Sequence, residues 1–151
     1  MGFKKQIKVR FNDTDPAGVM YFPRFLDRFH CVFEDWFDEE LMMPYRWVLE
    51  DTRVGFPTVH TSCDYRGPFR FGDTMEVELL VTRVGRSSFT CTYKARALGE
   101  ATVRVQAVMI TATANLDTFE AVEIPAPMRK ALLDRLEPPV RDLAASSGSL
   151  G

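Results

Sequence analysis

From Gln6 to Phe11 the chain alternates: Ile7, Val9 and Phe11 fall on one side, Gln6, Lys8 and Arg10 on the other. A period of two is that of a strand with one buried face. At Pro23 the period lengthens. Phe25, Leu26, Phe29, Val32, Phe33, Trp36 and Phe37 recur at helical spacing, with Arg24, Asp27, Arg28, Glu34, Asp35 and Asp38 opposite. Pro23 suits a first helical turn, where its missing N–H costs nothing. The pattern predicts a helix to about Glu40 with a wide aromatic stripe, which needs a broad surface to lie on.

That surface follows. Thr58 to Arg66 is expected as a strand. In Thr74 to Val84 and again in Ser88 to Arg96, apolar and polar residues alternate. Ala101 to about Ala114 is apolar and β-branched on both faces, which predicts a central strand covered on both sides. Val84-Gly85-Arg86 and Leu98-Gly99-Glu100 are tight connections, so the last three strands form an antiparallel meander. Pro125 to Leu136 reads as a short terminal helix. One curved antiparallel sheet around one aromatic helix satisfies this order, an α+β architecture.

The bulk numbers narrow the picture. A chain of 151 residues is one domain, placed here at residues 1–142, and residues 143–151, which end A-A-S-S-G-S-L-G, read as a flexible tail. A net charge of −2 gives no field favouring nucleic acid or an anionic membrane surface. No apolar run approaches the ~20 residues of a membrane span. The basic N-terminus lacks the apolar stretch of a signal peptide. Cys31, Cys63 and Cys91 are an odd count without a C-x-x-C pair, which points to reduced, buried thiols in a cytoplasm.

Chemistry concentrates in F-N-D-T-D-P-A-G-V-M-Y-F-P, Phe11 to Pro23. A calcium loop starting at Asp13 fails, because its fifth and twelfth positions are Ala17 and Arg24, not oxygen ligands. A turn with a capping carboxylate is the plain structural reading, and Asp13 fits it. Asp15 allows more. It precedes a long helix whose first N–H groups can polarise a carbonyl oxygen, and a carboxylate there can attack the carbonyl carbon or activate a water. A carboxylate of pKa ~3.9 is a weak base, so the leaving group must be good. A thiol of pKa ~8.5 leaves unaided, and an amine does not, so a thioester is the fitting substrate.

The same residues, followed by the aromatic helix, resemble the 4-hydroxybenzoyl-CoA thioesterases of the hotdog-fold superfamily. D-Y-R-G-P-F-R-F-G-D-T-M-E-V-E is similar to the pattern on that family's second long strand, and the resemblance spans about Ile7 to Glu123. It implies a hotdog fold, Asp15 as nucleophile or general base, and the backbone amide of Phe22 as the carbonyl-polarising donor. It also implies substrate contacts at Gly18, Tyr21, His30 and Gly55, and a dimer or tetramer with sites between subunits. Relatives acting on aliphatic acyl-CoA carry His where this chain has Phe22, which favours the aromatic branch. The 4-hydroxybenzoyl enzymes carry an acid where this chain has His30, which leaves the ring substituent open. The hairpin T-R-V-G-R-S-S-F matches the family's nucleotide-contacting turn, assigning Arg83, Arg86, Ser87 and Ser88 to coenzyme A, Arg86 foremost.

Other candidates are weaker. His30-Cys31 and His60/Cys63 suggest Cys–His dyads, but neighbours on one element point apart and no orienting group follows. Serine-hydrolase, dinucleotide and P-loop motifs are absent. Arg66, Arg70, Arg96 and Arg104 read as solvated surface. The expected activity is thus hydrolysis of an aromatic acyl-CoA, needing no metal or redox cofactor, coenzyme A being part of the substrate. An aliphatic acyl-CoA thioesterase and a non-catalytic acyl-CoA-binding hotdog protein are the alternatives.

Overall fold

A computed structural model describes residues 2–138. The tail expected over 143–151 lies outside the described residues. The strands are β1 (Phe3–Lys8), β2 (Val54–Gly55), β3 (Thr58–Tyr65), β4 (Thr74–Val84), β5 (Ser88–Ala97), β6 (Val103–Ala112) and β7 (Ala114–Asn115). The helices are α1 (Phe22–Glu39), α2 (Tyr45–Glu50) and α3 (Ala126–Asp134). Five strands form one sheet in the order β1-β4-β5-β6-β3, every neighbour antiparallel. This is the hotdog arrangement, α+β as expected, with the meander β4-β5-β6 in its middle. No described helix is long and apolar enough to cross a membrane.

Its aromatic stripe places α1. Phe25, Phe29, Val32, Phe33, Trp36 and Phe37 are buried against Val77, Leu79, Phe89, Tyr93, Ala95 and Val105 of the sheet's inner face. Phe29 stacks on Tyr93 at 5.2 Å, and Phe33 on Phe89 at 6.2 Å. Each such ring, once buried, contributes about 2–3 kcal/mol by transfer from water. The helix starts where Tyr21 leaves an extended conformation and Pro23 follows.

Three features depart from the sequence expectation. β1 runs over Phe3–Lys8 rather than Gln6–Phe11, because Arg10 to Asp13 closes a turn of 3-10 helix instead. Phe11 is consequently 77% exposed rather than in the core, its ring edge-on to Phe71. Two elements are additional: α2, whose Tyr45 packs on Phe33 and Phe37, and the β2–β7 ribbon. Of the three thiols only Cys91 is fully buried, Cys31 and Cys63 being half-buried.

Candidate active site

The loop between β1 and α1 folds as a small hairpin. Thr14 bridges Met20, the Asp15 N–H donates to the Val19 carbonyl at 3.0 Å, and the Gly18 N–H donates to the Asp15 carbonyl at 2.9 Å. Gly18 sits at φ +81°, a conformation that costs a residue with a Cβ about 1–2 kcal/mol. The returning limb pairs with the segment before β4: the Met20 N–H donates to the Phe69 carbonyl at 2.7 Å.

The two acids of the motif meet different surroundings. Asp13 is fully buried. One carboxylate oxygen accepts the Arg10 N–H at 2.9 Å, the other accepts from Arg28 Nη2 at 2.6 Å, and Arg24 Nε lies at 4.0 Å. Its main-chain carbonyl accepts the Tyr21 N–H at 2.8 Å. Burial alone would raise its pKa, but the Arg10 N–H and the Arg28 guanidinium hold it below the usual carboxylate range. Asp13 is therefore the anchor expected of it, and Arg28 is a partner the sequence did not announce. Asp15 is half-buried. Its Oδ1 accepts the Ala17 N–H at 2.9 Å, and among the described residues its Oδ2 has no partner. It lines an open groove of about 640 Å³ with Phe11, Asn12, Thr14, Gly18 and Phe71.

Phe22 opens α1. Arg24's N–H already donates to the Tyr21 carbonyl at 2.9 Å, Pro23 has none, and among the described residues the Phe22 N–H has no acceptor. It is one of the orphan donors that a helix start leaves. The Phe22 side chain lines a second depression, of about 350 Å³, with Val19, Met20, Phe25 and Tyr65. Asp15 and Phe22 thus flank one limb of the hairpin rather than lining a single cavity. Tyr21 is half-exposed, its ring 5.2 Å from that of Phe22.

The remaining expected residues lie elsewhere within one chain. His30 stands about two turns further along α1, exposed, 3.9 Å from Glu34, its ring against Phe33 and Tyr45. Gly55 is buried in β2, where Leu116 fills the place of a side chain. Its neighbour Phe56 packs on Phe33 and Phe37, roughly 16–22 Å along the helix axis from Phe22. Arg83, Arg86, Ser87 and Ser88 form the β4–β5 hairpin. Its backbone is pinned by the Arg129 side chain to the Gly85 carbonyl at 2.7 Å, Ile124 N–H to Arg86 O at 2.9 Å and Thr113 N–H to Ser87 O at 2.9 Å. Arg83 and Arg86 are exposed and have no carboxylate partner among the described residues, whereas Arg96 and Arg104 pair with Glu78 and Glu100. The hairpin tip is the far end of β4 from Asp15, roughly 33 Å along the strand.

A five-stranded antiparallel sheet rolled around one aromatic helix is the hotdog thioesterase fold. Residues 9–132 match the profile of the Thioesterase-like superfamily. A 1,4-dihydroxy-2-naphthoyl-CoA hydrolase of Synechocystis is 28% identical over 132 residues, covering 87% of this chain and 95% of that protein. One from Synechococcus elongatus is 37% identical over 93 residues, 61% of this chain and 68% of that protein. A crystal structure of the Synechocystis 1,4-dihydroxy-2-naphthoyl-CoA thioesterase superposes with a TM-score of 0.81 at 27% identity, over 89% of this chain and 97% of that one. The chain belongs to the Thioesterase-like superfamily and is a thioester hydrolase. The 4-hydroxybenzoyl branch suggested by the motif is narrower than this: these relatives are named for a different aromatic acyl group.

Proposed function

We propose that the protein hydrolyses the thioester of an aromatic acyl-CoA to the free acid and coenzyme A. The observation that carries this reading is the free Oδ2 of Asp15 one hairpin limb away from the unpaired N–H of Phe22. In the reaction the Phe22 N–H takes the carbonyl oxygen and stabilises the charge it gains. Asp15 attacks the carbonyl carbon, forming an anhydride that water then opens to the free acid, or draws a proton from a water that attacks instead. Either way the C–S bond breaks with the electron pair leaving on sulfur as thiolate. Gly18 and Tyr21 shape the approach to that carbonyl. The names of the Synechocystis and Synechococcus relatives support an aromatic acyl group, as do the exposed rings of Phe11, Phe71, Tyr21 and Phe22 around the site.

Arg83 and Arg86, with Ser87 and Ser88, are assigned to the phosphates of coenzyme A, which unpaired guanidinium groups suit. At roughly 33 Å from Asp15 along β4 they serve a thioester held by another chain's Asp15. A homo-oligomer with sites shared between subunits is therefore part of the proposal, and it returns His30 and Gly55 to a neighbour's site. The unpaired, largely exposed edge of β3 is a surface such pairing would cover.

The test is a panel assayed by thiol release: benzoyl-, hydroxybenzoyl-, 1,4-dihydroxy-2-naphthoyl-, butyryl- and hexanoyl-CoA. The aromatic esters are expected to show the higher kcat/KM. A clear aliphatic preference replaces the aromatic reading, and no release from any of them leaves acyl-CoA binding without turnover.

A further inference from the structure

The depression beside Phe22 has a lining that the proposed chemistry does not yet use. Its walls are aromatic: Tyr65, at the end of β3, stands edge-on to Phe25 at 5.7 Å and to Phe22 at 6.2 Å. Met20 and Val19 close the hairpin side. Arg66, Gly67 and Pro68 complete the lining. Within its aromatic wall the phenol oxygen of Tyr65 is the polar tip, and its O–H donates to the Phe22 carbonyl at a long 3.3 Å.

In an aromatic thioester the ring is bonded directly to the carbonyl carbon. It must lie beside whichever group holds the carbonyl oxygen. With that oxygen on the Phe22 N–H, the ring falls in the depression that Phe22 itself lines, and edge-to-face contacts with Tyr65 and Phe25 suit a flat π-system. The wider groove beside Asp15, across the Val19–Met20 limb, is left for the thiol arm. We infer that the Phe22–Phe25–Tyr65 depression is the acyl slot, and that the Tyr65 hydroxyl selects aromatic acyl groups bearing a ring hydroxyl. This rests on the aromatic thioesterase reading above.

Two physical points favour Tyr65 as the selector. Its hydroxyl is held by one long bond to a carbonyl at a helix start and by the neighbouring Cys63 thiol, both weak partners, so exchanging them for a substrate hydroxyl costs little. Burial and the neighbouring Cys63 thiol push its pKa up, so it stays a protonated donor. An apolar slot cannot by itself favour a ring that carries an extra hydroxyl, but one with a positioned polar partner can.

The experiment measures kcat/KM of the full chain for benzoyl-CoA, the 2-, 3- and 4-hydroxybenzoyl-CoA isomers and hexanoyl-CoA, in wild type, Tyr65→Phe and Tyr65→Ala. Wild type is expected to favour at least one hydroxylated isomer over benzoyl-CoA. Tyr65→Phe should lower that ratio by about tenfold at most, as the loss of a single neutral hydrogen bond requires. Tyr65→Ala should depress all aromatic esters more than hexanoyl-CoA, and thermal unfolding of each variant confirms an intact fold. An unchanged ratio in Tyr65→Phe, or equal loss of aromatic and aliphatic activity in Tyr65→Ala, overturns the slot while leaving the thioesterase reading intact. Wild type that cleaves hexanoyl-CoA but no aromatic ester overturns both.

Discussion

Asp13 and Asp15 share a motif but not an environment. Asp13 has both oxygens engaged and no exposure, so replacing it strands the Arg28 guanidinium, whose Nε already has no partner. Asp13→Ala is expected to cost about 3 kcal/mol by chemical denaturation, the scale of breaking a buried charge pair. The same carboxylate gives a pH dependence. Its folded-state pKa lies below the unfolded value near 3.8, so its contribution is full above that value and is lost as pH falls through the folded pKa. Stability measured from pH 6 downward should therefore drop below about pH 4, and drop less steeply in Asp13→Asn. That Asp13 holds a turn was legible from the turn residues around it, but it closes the 3-10 turn on Arg10 and does not cap α1, whose N-cap Tyr21 has no side-chain cap. That Arg28 is the partner was not legible, because a pairing fifteen residues apart across a loop leaves no periodic trace.

Among the elements, α1 and the long strands were legible because burial imposes a period on sequence wherever one face meets a core. Phe29 illustrates the load they carry: it is fully buried and stacked on Tyr93. Phe29→Ala is expected to cost about 3–5 kcal/mol, read as a lowered unfolding midpoint. What periodicity missed is held by other forces. The 14–20 hairpin depends on an Asp15 side chain accepting a main-chain N–H and on Gly18 at positive φ. α2 is bounded by Met42 and Arg53, both in left-handed conformations that neither side chain advertises. Gly55 is the converse case: the resemblance places it near a thioester, while within one chain its packing against Leu116 is a sufficient reason for a glycine.

For the whole molecule, the separation of the Asp15 loop from the β4–β5 hairpin becomes a prediction about assembly. If one site draws Asp15 from one chain and Arg86 from another, two inactive variants can repair each other. Asp15→Asn and Arg86→Ala chains, unfolded and refolded together, should regain activity that neither has alone, because some mixed oligomers hold one intact site. Light scattering on wild type should give a mass of two or four chains. Mixed chains no more active than the separate variants would place both residues on one chain's site and remove the reason for sharing.

The central claim is that the Asp15 carboxylate does the chemistry, and Asp15→Asn tests it most directly. The substitution keeps the side chain's shape and an oxygen to accept the Ala17 N–H, and removes only the charge. On the best aromatic acyl-CoA found, kcat is expected to fall by about 10²–10⁴-fold with KM and thermal midpoint little changed. A variant that keeps the parent's kcat contradicts the account.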